Sequence, residues 1–218
     1  ECIAWAMELY ERGQLTKKET GGLELKWGNE EAILGLIAKI AYRQGFGDLL
    51  ADGVKRGAEK LGKGKEIAFH VKGLELIQAD PRGLKGYGLG YAVSSRGADH
   101  LRSEPFLELS DDPDKGLKMF GVREATQRLA HRGKGKLIRY CENWCAIIDS
   151  LEICKNLAEN MELLPLDRAA EITKATTGFP FTEDIMYEIG ERIVNLERAY
   201  VVREGITRKD DYLPARFL

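Results

Sequence analysis

The sequence predicts a mainly α protein, a two-lobed multi-helical array with a few short β-strands. Three observations point to it. Apolar residues recur at helical spacing over long stretches, most clearly Ile185, Ile189, Ile193, Leu196 and Tyr200. Good N-caps stand ahead of such stretches: Asn29 with Glu30 and Glu31 in the following turn, and Thr182 before the longest. Alternation of apolar and polar residues, by contrast, is confined to runs of about five residues.

In chain order, residues 2–12 read as a helix with Ile3, Met7 and Tyr10 on one face and Gly13 at its end. Leu23–Trp27 alternates as a short strand would. A helix from Asn29 carries Ile33, Leu34, Ile37, Ile40 and Ala41. Gly45-Phe46-Gly47 joins it to a second, from Asp48 to Gly62. Ile67–Val71 and Leu74–Ile77 are β-like and are split by Lys72-Gly73; Asp80–Gly83 is a turn. Residues 83–102 are rich in glycine, and 103–116, with Pro105 and Pro113, read as loop. Helical segments follow at 122–131, 134–148, 166–176 and 183–205, with 149–163 less periodic and the tail irregular. The seam between lobes is expected within 103–121, giving lobes 1–110 and 111–218.

Composition narrows the function classes. With 44% hydrophobic and 31% charged residues the chain is globular rather than disordered. A balance of 33 basic against 35 acidic residues leaves no electrostatic footprint for nucleic acid. No apolar run approaches the ~20 residues of a membrane span. The start, Glu1 to Trp5, lacks the basic region and cleavage site of a secretory signal, so a cytoplasmic location with free thiols is expected.

The residues that could carry chemistry fall in two places. Gly86-x-Gly88-x-Gly90 does not match a phosphate-binding fingerprint, but glycine on a helix lets another helix or a large cofactor approach the backbone. Behind it stand Ser94, Ser95, Arg96, Asp99, His100 and Arg102. This cluster suits either an anionic ligand, clamped by guanidinium and served by an imidazole, or a solvated helix end. Cys141, Cys145 and Cys154 lie within fourteen residues at a spacing unlike a zinc finger. They read as buried small hydrophobes, or one of them as a thiolate ligand. His70 and His131 read as structural, and Trp5, Trp27 and Trp144 as packing residues.

Several segments, taken in order, resemble a known family. Met7–Gly13, Leu25-x-Trp27-Gly28-Asn29, Ala51-Asp52-Gly53, Val71–Glu75 with Asp80-Pro81-Arg82, and Ser95–His100 are similar to landmarks of the tungsten- or molybdenum-containing aldehyde:ferredoxin oxidoreductases. So are Glu191-Arg192-Ile193, Arg203-Glu204-Gly205 and Asp210–Arg216. The similarity covers most of the chain and falls in the family's second and third domains, its C-terminal helical part. Asp149–Cys154 fits the family pattern Asp-x-x-x-x-Cys.

The resemblance implies that Cys154 is the fourth ligand of a [4Fe–4S] cluster, and that Asp149, Arg96 and Asp99 contact a bis-molybdopterin cofactor of tungsten or molybdenum. It implies that His100 serves proton transfer or substrate hydrogen bonding beside the metal. The family's Gly-Leu ahead of the Cys is Glu152-Ile153 here, a departure from the family pattern in the loop that would contact the pterin. The other three cluster cysteines are absent. The chain is therefore expected to be part of a longer enzyme whose N-terminal domain supplies them, inactive by itself and without metal-pterin or cluster. The expected substrate is an aldehyde and the expected acceptor ferredoxin. No nucleic acid or membrane partner is expected, and a homodimer of the full enzyme is allowed. The glycine-rich stretch would then be a wall facing the missing part. Two alternatives remain: the same fold in an aromatic acyl-CoA reductase subunit or other carbonyl oxidoreductase, and a helical interaction module without redox activity.

Overall fold

The computed structural model describes residues 1–158 and 163–218. It is mainly helical, and among the described residues its only sheet is a two-stranded ribbon. The chain divides into two compact units, residues 1–77 with 213–218, and residues 78–212. None of the helices is long and apolar enough to cross a membrane, among the described residues.

In the first unit, α1 (Cys2–Glu11), α2 (Glu30–Ala41), the short α3 (Phe46–Leu50) and α4 (Gly53–Leu61) enclose a core of Trp5, Leu9, Leu25, Leu36, Leu50 and Val54. Asn29 caps α2 as expected, its side chain accepting from the Ala32 amide at 3.2 Å. Trp5 is buried with its indole N–H donated to the Gly64 carbonyl at 2.9 Å. Gly47 is required by packing, since a Cβ there would lie 2.3 Å from the Lys39 carbonyl carbon. β1 (His70–Val71) and β2 (Leu74–Glu75) pair antiparallel across Lys72-Gly73, both in the left-handed region that a tight hairpin turn requires. His70 is structural, its Nδ1 accepting the Gly73 amide at 3.3 Å.

Two expectations fail in this unit. Leu23–Trp27 forms no strand: Leu25 is buried in the core with Leu23 half-buried against it, and Trp27 stands in a turn, 53% exposed rather than packed. On α2 the most deeply buried residues are Ala32 and Leu36, while Leu34 and Ile37 face solvent.

The second unit holds α5 (Lys85–Val93), α6 (Pro113–Phe120), α7 (Lys134–Ser150), α8 (Lys155–Ala158), α9 (Leu166–Thr177) and α10 (Glu183–Arg203). Its core centres on α7: Leu137, Cys141, Trp144, Cys145 and Ile148 pack with Leu166, Ala169 and Met186. Cys141 and Cys145 are buried thiols whose pKa values burial pushes well up, so they behave as small hydrophobes. α10 lies close on α7 at Gly190, where a Cβ would come within 2.4 Å of the Asn143 carbonyl oxygen. Its buried positions are Met186 and Gly190. Ile189 and Ile193 of the predicted stripe are half-buried, and Ile185, Leu196 and Tyr200 are exposed. Thr182 caps the helix as expected.

Residues 113–116, expected as loop, open a helix over 113–120 because Asp112 caps it with Pro at its first position. Residues 122–131, expected as helix, form only one 3₁₀ turn at Arg123–Thr126. The irregular stretch expected over 149–163 includes residues 159–162, which lie outside the described residues. The 110/111 boundary falls inside the second unit. The reason is Glu108, whose carboxylate accepts the Gly86 and Tyr87 amides at 2.7 and 3.0 Å and the Lys134 ammonium at 2.7 Å, tying this segment to α5 and α7.

Gly86 and Gly90 of α5 answer to the same segment rather than to a missing part. A Cβ on Gly86 would lie 2.6 Å from Glu108 Oε2, and one on Gly90 2.3 Å from Ser103 Oγ. They let residues 103–108 lie against the helix backbone, which corrects the expectation of a glycine wall facing outward.

Candidate functional site

The sequence-predicted residues come together within the second unit, where the segment after α5 meets the C-terminal end of α7. α5 stops at Ser94, which leaves the helical region, and Gly97 takes a left-handed conformation that turns the chain. Asp99 then caps a 3₁₀ turn over His100–Arg102, its Oδ1 accepting the Leu101 amide at 3.0 Å. Its other oxygen, Oδ2, faces Arg96 Nη1 at 3.0 Å in an ion pair that lacks hydrogen-bond geometry. Asp99 is buried and Arg96 exposed.

Arg102 links this turn to two helices. Its Nη1 lies 3.0 Å from Glu197 Oε1 on α10 and 3.5 Å from Asp149 Oδ2 on α7. Ser95 donates to Glu197 Oε2 at 2.7 Å. Asp149 is bound from the other side by the buried ammonium of Lys155, a short ion pair to Oδ1. Between them the backbone folds back on the end of α7: the Ile153 amide reaches the Ile148 carbonyl at 3.2 Å, with Glu152 in the left-handed region at φ +57°. That conformation is the usual place for glycine at a helix end. Cys154 follows, exposed to solvent.

A cavity of about 400 Å³ adjoins the cluster, lined in part by Ser95, Arg102, Glu142, Glu197, Arg198 and Asp211. Its arginines face acids: Arg198 holds Asp211 through two hydrogen bonds, at 3.0 and 2.9 Å.

The turn carries an unusual load of buried polar atoms without hydrogen bonds, one of them, Asp99 Oδ2, held only by its ion pair with Arg96. Of seven buried side-chain nitrogen or oxygen atoms without a hydrogen-bond partner among the described residues, five belong to residues 99–104: Asp99 Oδ2, His100 Nδ1, Arg102 Nε, Ser103 Oγ and Glu104 Oε2. Each such atom costs about 1–3 kcal/mol. Folded proteins seldom concentrate them without a purpose. Burial, assisted by Lys155, holds the His100 imidazole pKa below its ordinary value, so the ring is neutral near pH 7. Among the described residues no group of three or more His, Cys, Asp and Glu side chains could hold a metal ion. Cys154 belongs to no such group among the described residues.

Sequence reasoning missed Lys155, Glu197 and Glu104. Lys155 directly follows Cys154 and could have been noticed; Glu197, in a polar stretch of α10, and Glu104, in a segment read as loop, gave no signal.

Residues 1–218 match the family described as aldehyde ferredoxin oxidoreductase, domains 2 and 3. The chain is 37% identical over 219 residues to a tungsten-containing aldehyde ferredoxin oxidoreductase of Pyrococcus furiosus, and 36% identical over 219 residues to one of Thermococcus kodakarensis. Both matches take in 99% of this chain, which spans about a third (34%) of those proteins' length. Among solved structures, an active-site complex of benzoyl-CoA reductase bound to 1,5-dienoyl-CoA shares the fold, with a TM-score of 0.73 at 24% identity, covering 98% of this chain and 37% of that one. A family match that runs the full length of the chain, with relatives of this identity, means that the protein belongs to the aldehyde ferredoxin oxidoreductase family, in its second and third domains.

Proposed function

We propose that this chain is the domain 2 and 3 portion of a tungsten- or molybdenum-bis-pterin, [4Fe–4S] oxidoreductase that oxidises aldehydes to carboxylic acids and passes the electrons to ferredoxin in the cytoplasm. One observation carries the reading. Asp149, five residues ahead of Cys154, is bound to Arg102 and Lys155, which draws the Cys154 loop to the turn holding Arg96, Asp99 and His100. The residue set fits a cofactor rich in hydrogen-bonding edges. Asp149 is half exposed and keeps acceptor capacity beyond its two cations, and the neighbouring turn presents unpaired donors and acceptors.

When bound, the metal-pterin group and the cluster supply the two-electron oxidation and the single-electron exit. The chain's own residues do the rest. Cys154 offers an accessible sulfur as the fourth cluster ligand. Asp149 accepts hydrogen bonds from the pterin and orients it. Arg96 and Asp99 form a second contact to the cofactor. His100, neutral at working pH, accepts a proton at its imidazole during aldehyde oxidation. A domain outside this chain supplies the remaining cluster ligands, and the full enzyme is open to homodimer formation.

The test is metal analysis of the full-length protein together with a panel of aldehydes and reduced or oxidised ferredoxin. Stoichiometric tungsten or molybdenum, about four irons and aldehyde-dependent ferredoxin reduction are expected. Absence of metal, or turnover confined to aromatic acyl-CoA thioesters, would overturn the aldehyde reading.

A further inference from the structure

Glu104 takes no part in the chemistry assigned above, yet it is buried, lacks a hydrogen-bond partner at one oxygen and has a strained backbone. It is only 2% exposed, and its Oε2 has no hydrogen-bond partner among the described residues. Its backbone sits at φ +28°, outside the regions an L-residue prefers. Strain of this kind costs roughly 1–3 kcal/mol and tends to persist where function requires it. Two backbone bonds pin the conformation: the Glu104 amide donates to the His100 carbonyl at 2.6 Å, and the Phe106 amide donates to the Glu104 carbonyl at 2.7 Å. Glu104 therefore follows His100 by one tight turn, and His100 Nδ1 is likewise buried and unpaired. Two buried atoms without hydrogen bonds, on residues joined by one backbone turn and both within the field of Lys155 and Asp99, form the setting in which a protein holds a bridging water.

We propose that Glu104 is a positioning residue for His100, its buried carboxyl taking up, through an intervening water, the proton that the imidazole releases from Nδ1 when Nε2 accepts one. The inference rests on the proposed role of His100 in aldehyde oxidation. The step balances. At the start Glu104 is a carboxylate and His100 is neutral with its proton on Nδ1. A proton from the reaction bonds to Nε2, the Nδ1–H bond breaks toward the water, and the water passes a proton to Glu104 Oε2. His100 ends neutral with its proton on Nε2, and Glu104 ends as the acid. No imidazolium accumulates in a site that disfavours one.

The surrounding charges support this order. Asp99 on the same segment, Asp149 and Cys145 on α7, Lys155 on α8 and Tyr87 on α5 all face Glu104. Burial, with help from Asp149 and Asp99 and against Lys155, raises the Glu104 carboxyl. Burial and Lys155, against Asp99, lower the His100 imidazole. The two affinities move toward each other, which makes proton exchange between them inexpensive.

The experiment compares full-length wild-type enzyme with Glu104→Gln and Glu104→Asp. Glu104→Gln is expected to lower kcat by about a hundredfold with KM little changed, and Glu104→Asp to restore part of the loss. Infrared difference spectra of wild type against Glu104→Gln are expected to show a protonated carboxyl that persists above the usual glutamate range. Nitrogen-15 histidine NMR is expected to show the Nδ1–H form of His100 in wild type and its loss in Glu104→Gln. Wild-type turnover and pH profile in Glu104→Gln would overturn the proposal. So would equal turnover of the Asp and Gln variants, or a His100 tautomer indifferent to residue 104. A wild-type enzyme that oxidises no aldehyde would overturn the functional reading beneath it, whereas the NMR comparison would still decide whether Glu104 and His100 are coupled.

Discussion

Lys134 Nζ lies 2.7 Å from Glu108 Oε2, and the two side chains are 4% and 0% exposed. The same carboxylate accepts the first free amides of α5, at Gly86 and Tyr87. One buried acid thus joins the start of α5, the start of α7 and the segment between. Removing one partner of such a pair leaves an uncompensated buried charge and typically costs about 3–5 kcal/mol. Glu108→Ala is therefore expected to lower the unfolding free energy, read from denaturant titration, by an amount in that range, and Lys134→Met by a comparable amount. A change below the scatter of surface substitutions would show that the pair is not sealed.

The close approach of residues 103–108 to α5 makes a second prediction. Gly90→Ala places a methyl 2.3 Å from Ser103 Oγ, and overpacking of this kind costs about 1–3 kcal/mol. Gly90→Ala with Ser103→Ala is expected to recover most of that loss, because the offending oxygen is gone. Gly135, in the first turn of α7, has open space where a Cβ would stand, and Gly135→Ala is expected to stabilise by about 0.5–1 kcal/mol. Thermal unfolding of the four proteins checks both signs.

Glu152 holds a left-handed conformation at the end of α7 where the family resemblance expects glycine. A non-glycine residue there costs about 1–2 kcal/mol. Glu152→Gly is expected to raise stability by up to about 1 kcal/mol after the added freedom of the unfolded chain is counted. A loss of stability on chemical denaturation would show that the Glu152 side chain offsets its own strain.

Two groups give opposite pH dependences. Glu104 binds its proton more tightly in the folded state than at its ordinary value of 4.5. As pH rises above that value the unfolded chain gives up its proton first, so stability falls until the folded carboxyl has also ionised. His100 binds its proton less tightly than its ordinary value of 6.5. As pH falls below that value the unfolded chain takes up a proton first, and stability falls on the acid side. Glu104→Gln should therefore remove a loss of stability seen on raising pH, and His100→Asn a loss seen on lowering it. Unfolding free energies measured between pH 4 and 8, roughly the span of these two ordinary values, would show each slope change or its absence.

The helices were legible where local signals agreed. Asn29 and Thr182 cap as their sequence contexts predict, because capping is decided within four residues. α6 carried the same kind of signal in Asp112-Pro113, but its exposed, polar face hid it. Which apolar residues become core was less legible. Leu196 and Tyr200 share helical spacing with Ile189, yet α10 turns Met186 and Gly190 inward because Gly190 allows contact with the Asn143 backbone.

The candidate site residues could be named from the Ser95–His100 and Asp149–Cys154 segments alone, since the resemblance is local to them. Their connection through Arg102 depends on partners far along the chain, 47 residues away for Asp149 and further still for Glu197, and no periodicity encodes such pairings. The buried role of Glu104 depends on a backbone conformation that sequence patterns do not report.

The central claim is that the Cys154 loop completes a redox centre beside His100. The measurement that bears on it most directly is iron content and the electron paramagnetic resonance of the reduced full-length protein, wild type against Cys154→Ala. The account predicts that the variant loses the cluster signal and ferredoxin reduction while its fold, read by circular dichroism, is kept. A variant that retains both the wild-type cluster signal and wild-type turnover would contradict it.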